Sequence, residues 1–418
     1  MMRHFITGCI LLLILVVGCK KSEIVQPPSE PERTQHEIPW PTVADAPWPM
    51  FQADPQCTGR SRFRGPQQGK IAWTSQYKGG AEYPYVTVDR GGMIRFATGA
   101  MLDDSGRTTS AYVFSVDAAG SLKWKTDIFN PRMSGRAPTV SSSLTIDASG
   151  TIYAGSSNGY FYAINSDGTV KWKFKAGDGI LSGYRGANIG LDGTIYFSSD
   201  NALFAMNPDG SVKWQLPTYA RSGVTFSPDG KTLYVTTPYR VDALDEAGTR
   251  KWSFPFSVAV DPVFPLVDSQ GNVYFVSGDT TFTSLGPEGK LRWQYHTVRG
   301  IDNTTAPIMD PYGNVYFSSF WEGLYSLDYS GQLRWKINGL WVGAQLVCDN
   351  EGTIYAGRYD GFMFAITTSG RFKWFLDPGP AGYYHEENRC CPALGSDGRL
   401  YVLERMSEIG SVALHAVE

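Results

Sequence analysis

From about residue 86 to the C-terminus the chain is a succession of short apolar and β-branched runs, each cut off by Asp-Gly, Asn-Gly or a similar pair. The clearest group reads SSSLTI, a turn at Asp147 to Gly150, TIYAGS, a turn at Asn158 and Gly159, YFYAIN, a turn at Ser166 to Gly168, then TVKWKF. Runs of about 4 to 8 such residues joined by turns of this kind predict four antiparallel strands linked by tight hairpins. The same frame returns at Leu191 to Trp214, Phe226 to Trp252, Val267 to Trp293, Met309 to Trp335 and Val347 to Trp374, with a looser copy from Val88 to Trp124. Trp73, Trp124, Trp172, Trp214, Trp252, Trp293, Trp335 and Trp374 mark the repeat, at separations of 51, 48, 42, 38, 41, 42 and 39 residues. A period near 40 with four strands per unit predicts an array of blades, because one such sheet cannot bury both of its faces alone.

The last copy, from Pro392 to Glu418, stops before its tryptophan strand, while an unclaimed GKIAW lies at Gly69 to Trp73. The expectation is therefore an all-β fold, an eight-bladed β-propeller of four-stranded antiparallel blades whose last blade is closed by the N-terminal strand, which removes the open edge at the seam.

Each tryptophan ends a segment reading roughly AxNxxGxxxW, as at Ala163, Asn165, Gly168 and Trp172, or Ala205, Asn207, Gly210 and Trp214. These runs resemble the tryptophan-docking motif of the pyrroloquinoline-quinone-type β-propellers, and WPMFQADPQCTGRS at Trp48 to Ser61 resembles that family's lead-in, with Cys57 where a His is usual. The resemblance implies that the eight tryptophans dock blade on blade. Function does not follow from that, since one fold hosts many activities.

Composition changes the picture little. The 418 residues are 42% hydrophobic and 18% charged with a net charge of −3, which excludes the strongly basic surface expected of a nucleic-acid binder. The N-terminus changes it more. Arg3 and His4 precede an apolar run from Phe5 to Val17, too short for the ~20 residues of a membrane span and suited to an export signal. VVGC at Val16 to Cys19 resembles the bacterial lipobox, which implies cleavage after residue 18 and lipidation of Cys19. Lys20 in place of an inner-membrane retention Asp points to the outer membrane, facing the periplasm. Pro, Glu and Gln dominate the segment that follows, predicting a disordered tether. The expected organisation is a signal peptide at 1–18, lipidated cysteine and tether at 19–47, and propeller at 48–418.

Among the exported cysteines, Cys348 sits at an apolar strand position and is expected to be a buried thiol. Cys57 precedes the strand that closes blade eight, and Cys390 and Cys391 precede that blade's first strand, so a bridge from Cys57 to one of the pair is a candidate. Strand direction places short turns on one face and everything long on the other, including the insertion at Thr98 to Ser110 and the connection from Phe375 to Cys391. Loops on a rigid scaffold are where function concentrates. The blade-to-blade connections on that face carry Arg136, Arg185, Arg221, Arg299 and Arg389, with Trp341 and Tyr184. Arginine and aromatic side chains are the preferred interface anchors, while the Asp and Glu residues in the same loops offer the alternative of solvated ion pairs.

No catalytic constellation and no metal-ligand spacing stand out. The leader, size and blade count are similar to those of the lipoprotein family of the outer-membrane β-barrel assembly machinery, and LSGYRG at Leu181 to Gly186 is similar to the LSLRG segment with which that family grips its partner. It departs by one inserted residue and lacks the second leucine. The resemblance implies a non-enzymatic, monomeric scaffold that meets an envelope protein through Leu181, Tyr184 and Arg185, with no cofactor. Two alternatives stand beside it. One is a quinoprotein dehydrogenase, for which Cys390 and Cys391 would form the vicinal disulfide under pyrroloquinoline quinone, with calcium. The other is a cell-wall glycan-binding module using the aromatic rim.

Overall fold

Asp-Gly punctuation and inward-facing apolar runs do build eight separate four-stranded antiparallel sheets in a ring. The computed structural model describes residues 32–79, 85–99, 101–102, 108–128, 142–157, 159–177, 186–199, 201–218, 222–259, 264–301, 305–319, 321–343, 345–377, 391–406 and 411–418. Blades one to seven occupy 86–127, 145–175, 188–217, 224–255, 266–296, 308–338 and 347–376. Blade eight combines 393–417 with the N-terminal strand Ile71–Lys78, which pairs Ile71 with Val417 and Trp73 with Ala416. The blade-one insertion carries its own small ladder, Met101–Leu102 against Thr108–Ser110.

The inner strands are buried on both sides and read as unbroken apolar runs, whereas the outermost strands alternate between half-buried and exposed, as in Ile71–Lys78. That alternation follows from one side packing on the next blade and the other meeting solvent. Each outer strand turns its tryptophan toward the following blade. The indole N–H of Trp124 donates to Ser166 O, Trp172 to Pro208 O, Trp214 to Glu246 O, Trp252 to Pro287 O, Trp293 to Tyr329 O and Trp335 to Thr368 O. Trp374 donates to Pro66 O and Trp73 to Ala118 O, so the relay passes through the seam and closes. The motif glycine lies under the ring: a methyl group at Gly168, Gly210 or Gly331 would come 2.7, 2.9 or 2.5 Å from the indole of the preceding blade. Opposite each tryptophan in register stands a small residue, such as Ala163 against Trp172 or Ser284 against Trp293, and a bulge follows it in the blades. The rings are half-buried rather than engulfed; Trp374, at 8% exposure, is the most enclosed.

A second device recurs at the inner turns. The aspartate ending the first strand binds the turn amides through one oxygen and accepts a buried tyrosine hydroxyl through the other, as Asp147 does with Tyr153, Asp310 with Tyr316 and Asp349 with Tyr355. These tyrosines are among the most deeply buried side chains in the molecule. Burial and the adjacent carboxylate push their hydroxyls well above the usual range, so they remain hydrogen-bond donors.

The chain before the first blade departs from the sequence expectation. Residues 33–47, read from composition as the second half of a tether, form a strap across the short-turn face. Thr34 and Gln35 donate to Pro311 O, Trp40 is 9% exposed with its indole on Ile189 O and Phe226, and Ala44 donates to Ile146 O. Composition missed this because a few well-placed apolar residues suffice when a preformed groove receives them. Residues Arg33–Glu418 accordingly form one compact unit.

After Trp48 the chain reverses and threads the central channel. The innermost strands present the same amide toward the axis, and this plug accepts them in turn: Val88 N–H on Trp48 O, Ile146 on Pro49 O, Phe226 on Pro55 O, Val267 on Gln56 O, Met309 on Thr58 O and Cys348 on Gly59 O. In blade three the Asn188 side chain donates to Pro55 O instead. Innermost strands would otherwise leave buried donors facing an empty channel, which is costly.

Candidate partner-binding face

Strap and plug occupy the short-turn face and the axis, leaving the opposite face to the blade connections and the turns between second and third strands. Among the described residues several large apolar side chains stand exposed there, in the hairpins and connections between blade four and blade seven: Tyr239, Val258, Val298, Trp321 and Trp341. Val298 is 87%, Trp321 63% and Trp341 56% exposed. Trp321, Val298, Arg299 and Ile301 border a shallow cleft of about 660 Å³ with Asp279 and Thr280.

The cleft wall is held in place. Glu322, beside Trp321, accepts the Arg299 backbone N–H at 2.8 Å and the Lys336 ammonium at 2.7 Å. Burial pushes the Glu322 carboxyl up, but the hydrogen bonds from Lys336, Arg299 N–H and Tyr325 outweigh it and hold the pKa below its ordinary value. The Thr297 hydroxyl donates to Arg299 O, the Ser319 hydroxyl to Gly300 O and the Ile301 N–H to Asp279 O. A loop fixed by this many bonds presents its apolar tip with little ordering cost on binding.

Of the residues singled out in the sequence, Arg299 and Trp341 lie on this face. Leu181, Tyr184, Arg185, Arg136, Arg221, Arg389, Cys390 and the lipidation candidate Cys19 lie outside the described residues. Trp321 and Val298 escaped the sequence reading. The available signal was Trp321 itself, a tryptophan at a hairpin turn and out of phase with the eight docking positions.

The bridge expected from Cys57 is not formed: Cys57 and Cys348 are buried free thiols. The plug carries Cys57 to blade four, where the Thr225 hydroxyl lies 3.5 Å from its sulfur, while Cys391 belongs to blade eight and sits beside Tyr85. Between them lie Phe51, Tyr85 and Phe264, with Phe51 packed 4.9 Å from Phe264 and edge-on to Tyr85. Among the described residues no three His, Cys, Asp or Glu side chains converge as metal ligands.

The family model described as outer membrane protein assembly factor BamB matches residues 65–227 and 207–385. The chain belongs to this family. Among solved structures, it is similar to a europium-containing methanol dehydrogenase, with a TM-score of 0.67 and 12% identity over 89% of this chain and 98% of that one. BamB from Moraxella catarrhalis gives a TM-score of 0.55 at 14% identity, covering 83% and 99% of the two chains. The C-terminal WD40 domain of Sif2 gives 0.58 at 11%, covering 85% and 99%. At these identities the likenesses establish the propeller fold alone. None of the curated proteins matches the chain significantly.

Proposed function

We propose that this propeller is a lipid-anchored scaffold of the cell envelope that binds a protein partner through its loop-rich face, in the assembly of outer-membrane proteins. Membership in the BamB family supports the setting. The observation that carries the surface assignment is the pair Trp321 and Trp341, two exposed tryptophans, one at a hairpin of blade six and one in the connection from blade six to blade seven, on the face that strap and plug leave free. Tryptophan and arginine anchors in pre-set clefts are where binding energy concentrates. Anchoring through Cys19 would hold the outer membrane and the partner within reach of one another.

Photo-crosslinking in intact cells tests this reading. A crosslinker at Val298, or replacing Trp321 or Trp341, is expected to trap an envelope protein that a crosslinker at Pro39 on the strap does not. Loss of a buried tryptophan anchor costs about 2 kcal/mol or more, so Trp321→Ala with Trp341→Ala should weaken capture at least about 30-fold. Capture from the strap and not from the loops would refute the surface. Labelling with palmitate, abolished by Cys19→Ala, is the expected result for the anchor.

Saturable uptake of pyrroloquinoline quinone with dye reduction would favour the quinoprotein alternative instead.

A further inference from the structure

Strap and plug run back across one another on the short-turn face and border a half-open chamber of about 840 Å³, within the usual size range of small-molecule sites. Its walls come from strap residues 36–47, plug residues 49–62 and the inner turns of blades one, two and five. One wall position breaks the eightfold pattern. In seven blades the residue of the second strand that pairs with the next-to-last residue of the first is tyrosine: Tyr153, Tyr196, Tyr234, Tyr274, Tyr316, Tyr355 and Tyr401. In blade one it is Arg95, paired with Thr87. Arg95 is 4% exposed and borders the chamber.

A buried arginine in a tyrosine position needs a reason. Asp89 accounts for part of it, with its carboxylate 2.8 Å from Arg95 Nη1. The Arg95 Nε has no hydrogen-bond partner among the described residues, and neither has Nε2 of Gln56, a chamber residue only 3% exposed. Arg60, on the plug, donates to the carbonyls of Asp310 and His36, at 3.3 and 3.2 Å, and lies within electrostatic range of the Asp54 carboxylate. Glu37 lies at the exposed rim, and the other wall carboxylates are engaged. Asp45 pairs with Arg62 and Arg90, Asp147 takes turn donors and the Tyr153 hydroxyl, and Asp54 takes both the amide and the hydroxyl of Thr58. What the chamber has to spare is therefore donors, two of them cationic.

We propose that this chamber is a binding site for a small oxyanion, a ligand carrying carboxylate or phosphate groups, received by Arg95, Arg60 and Gln56. Charge-assisted bonds from a guanidinium to such groups are the strong class of hydrogen bond, and the chamber's partial enclosure strengthens them further. Binding there would also cross-link strap to plug and blade one. The proposal does not depend on the partner-binding reading.

The test is calorimetric titration of the full chain at low ionic strength with citrate, with inorganic phosphate and with glycerol as the neutral control. Saturable binding of citrate or phosphate, but not glycerol, is expected, and which of the two binds assigns carboxylate or phosphate as the preferred group. Arg95→Tyr installs the residue that the other seven blades already carry, so the fold should persist; it is expected to weaken anion binding about 10- to 100-fold. Arg60→Gln probes the opposite wall and should weaken it similarly. Absence of anion binding in the unmodified protein, or binding that both variants leave unchanged, would overturn the proposal.

Discussion

Gly59→Ala isolates the plug, because one methyl group strikes it where it is most tightly held. Gly59 has φ of 64°, a conformation that costs an L-residue about 1 kcal/mol. Its new Cβ would lie 2.3 Å from Ile308 Cγ2 and 2.4 Å from Gln52 Oε1, distances that require the plug or blade six to move; overpacking of this kind costs about 1–3 kcal/mol. Movement would stretch the bonds from Cys348 N–H to Gly59 O at 2.8 Å and from Met309 N–H to Thr58 O at 3.0 Å, each costing about 1–2 kcal/mol if left unmade in a buried site. These terms overlap, and together they amount to about 3–6 kcal/mol. For the compact unit Arg33–Glu418, an unfolding entropy of about 2.1 cal/mol/K per residue turns that into a Tm lower by about 4–7 °C. The more telling assay is amide hydrogen exchange. Val88, Ile146, Phe226, Val267, Met309 and Cys348 should be protected in the native protein, and in the variant protection should fall first at Cys348 and Met309. An unchanged Tm together with unchanged protection at those two amides would refute the seating of the plug.

The docking relay predicts that Trp172→Ala, which removes both the ring over Gly210 and the bond to Pro208 O, costs about 2–4 kcal/mol in thermal unfolding. Trp172→Phe should recover all but about 1 kcal/mol of it. Burial pushes the thiols of Cys57 and Cys348 up, so at pH 8 the native protein should leave both unmodified by iodoacetamide as read by peptide mass mapping; rapid alkylation of either would place it at the surface. Glu322 has a folded pKa below its ordinary 4.5, so the stability it confers on the cleft is fully present above pH 4.5 and is lost as pH falls through the depressed value. The Arg299 amide resonance should therefore titrate with a midpoint below 4.5, and Glu322→Gln should abolish that titration; a midpoint above 4.5 contradicts the geometry.

The sequence made the ring legible because its signals are local and repeated. A glycine that must lie under an indole, a small residue opposite each tryptophan and an aspartate at each turn leave the same trace eight times, and GKIAW at Gly69 to Trp73 could be assigned to blade eight by counting alone. The strap and plug left no such trace. Trp40 sits in a Pro- and Glu-rich context that composition reads as tether, and Cys57 looked like half of a seam staple because sequence order put it beside the closing strand. What fixes these residues is the row of inward amides from six distant strands, joined by the Asn188 side chain of a seventh, a feature that exists only once the ring has formed. Trp321 was missed for a related reason: a single tryptophan at a turn is ordinary, and its meaning comes from Glu322 and the fixed loop at Arg299.

The same logic bears on which surface is free to work. A propeller offers two faces and a channel, and here the protein's own chain fills the channel and one face with bonds that repeat from blade to blade. A partner competing for the short-turn face would have to displace Trp40 from Ile189 and Phe226 and the strap amides from Pro311, losing several buried contacts before gaining any. The loop-rich face requires no such exchange, since Trp321, Trp341 and Val298 are already exposed and the loop behind Arg299 is already ordered. Where the repeat pattern is obeyed the residues hold the ring together. Its departures, Arg95 in a tyrosine position and Trp321 out of phase, fall at the two places where the molecule still has unspent binding capacity.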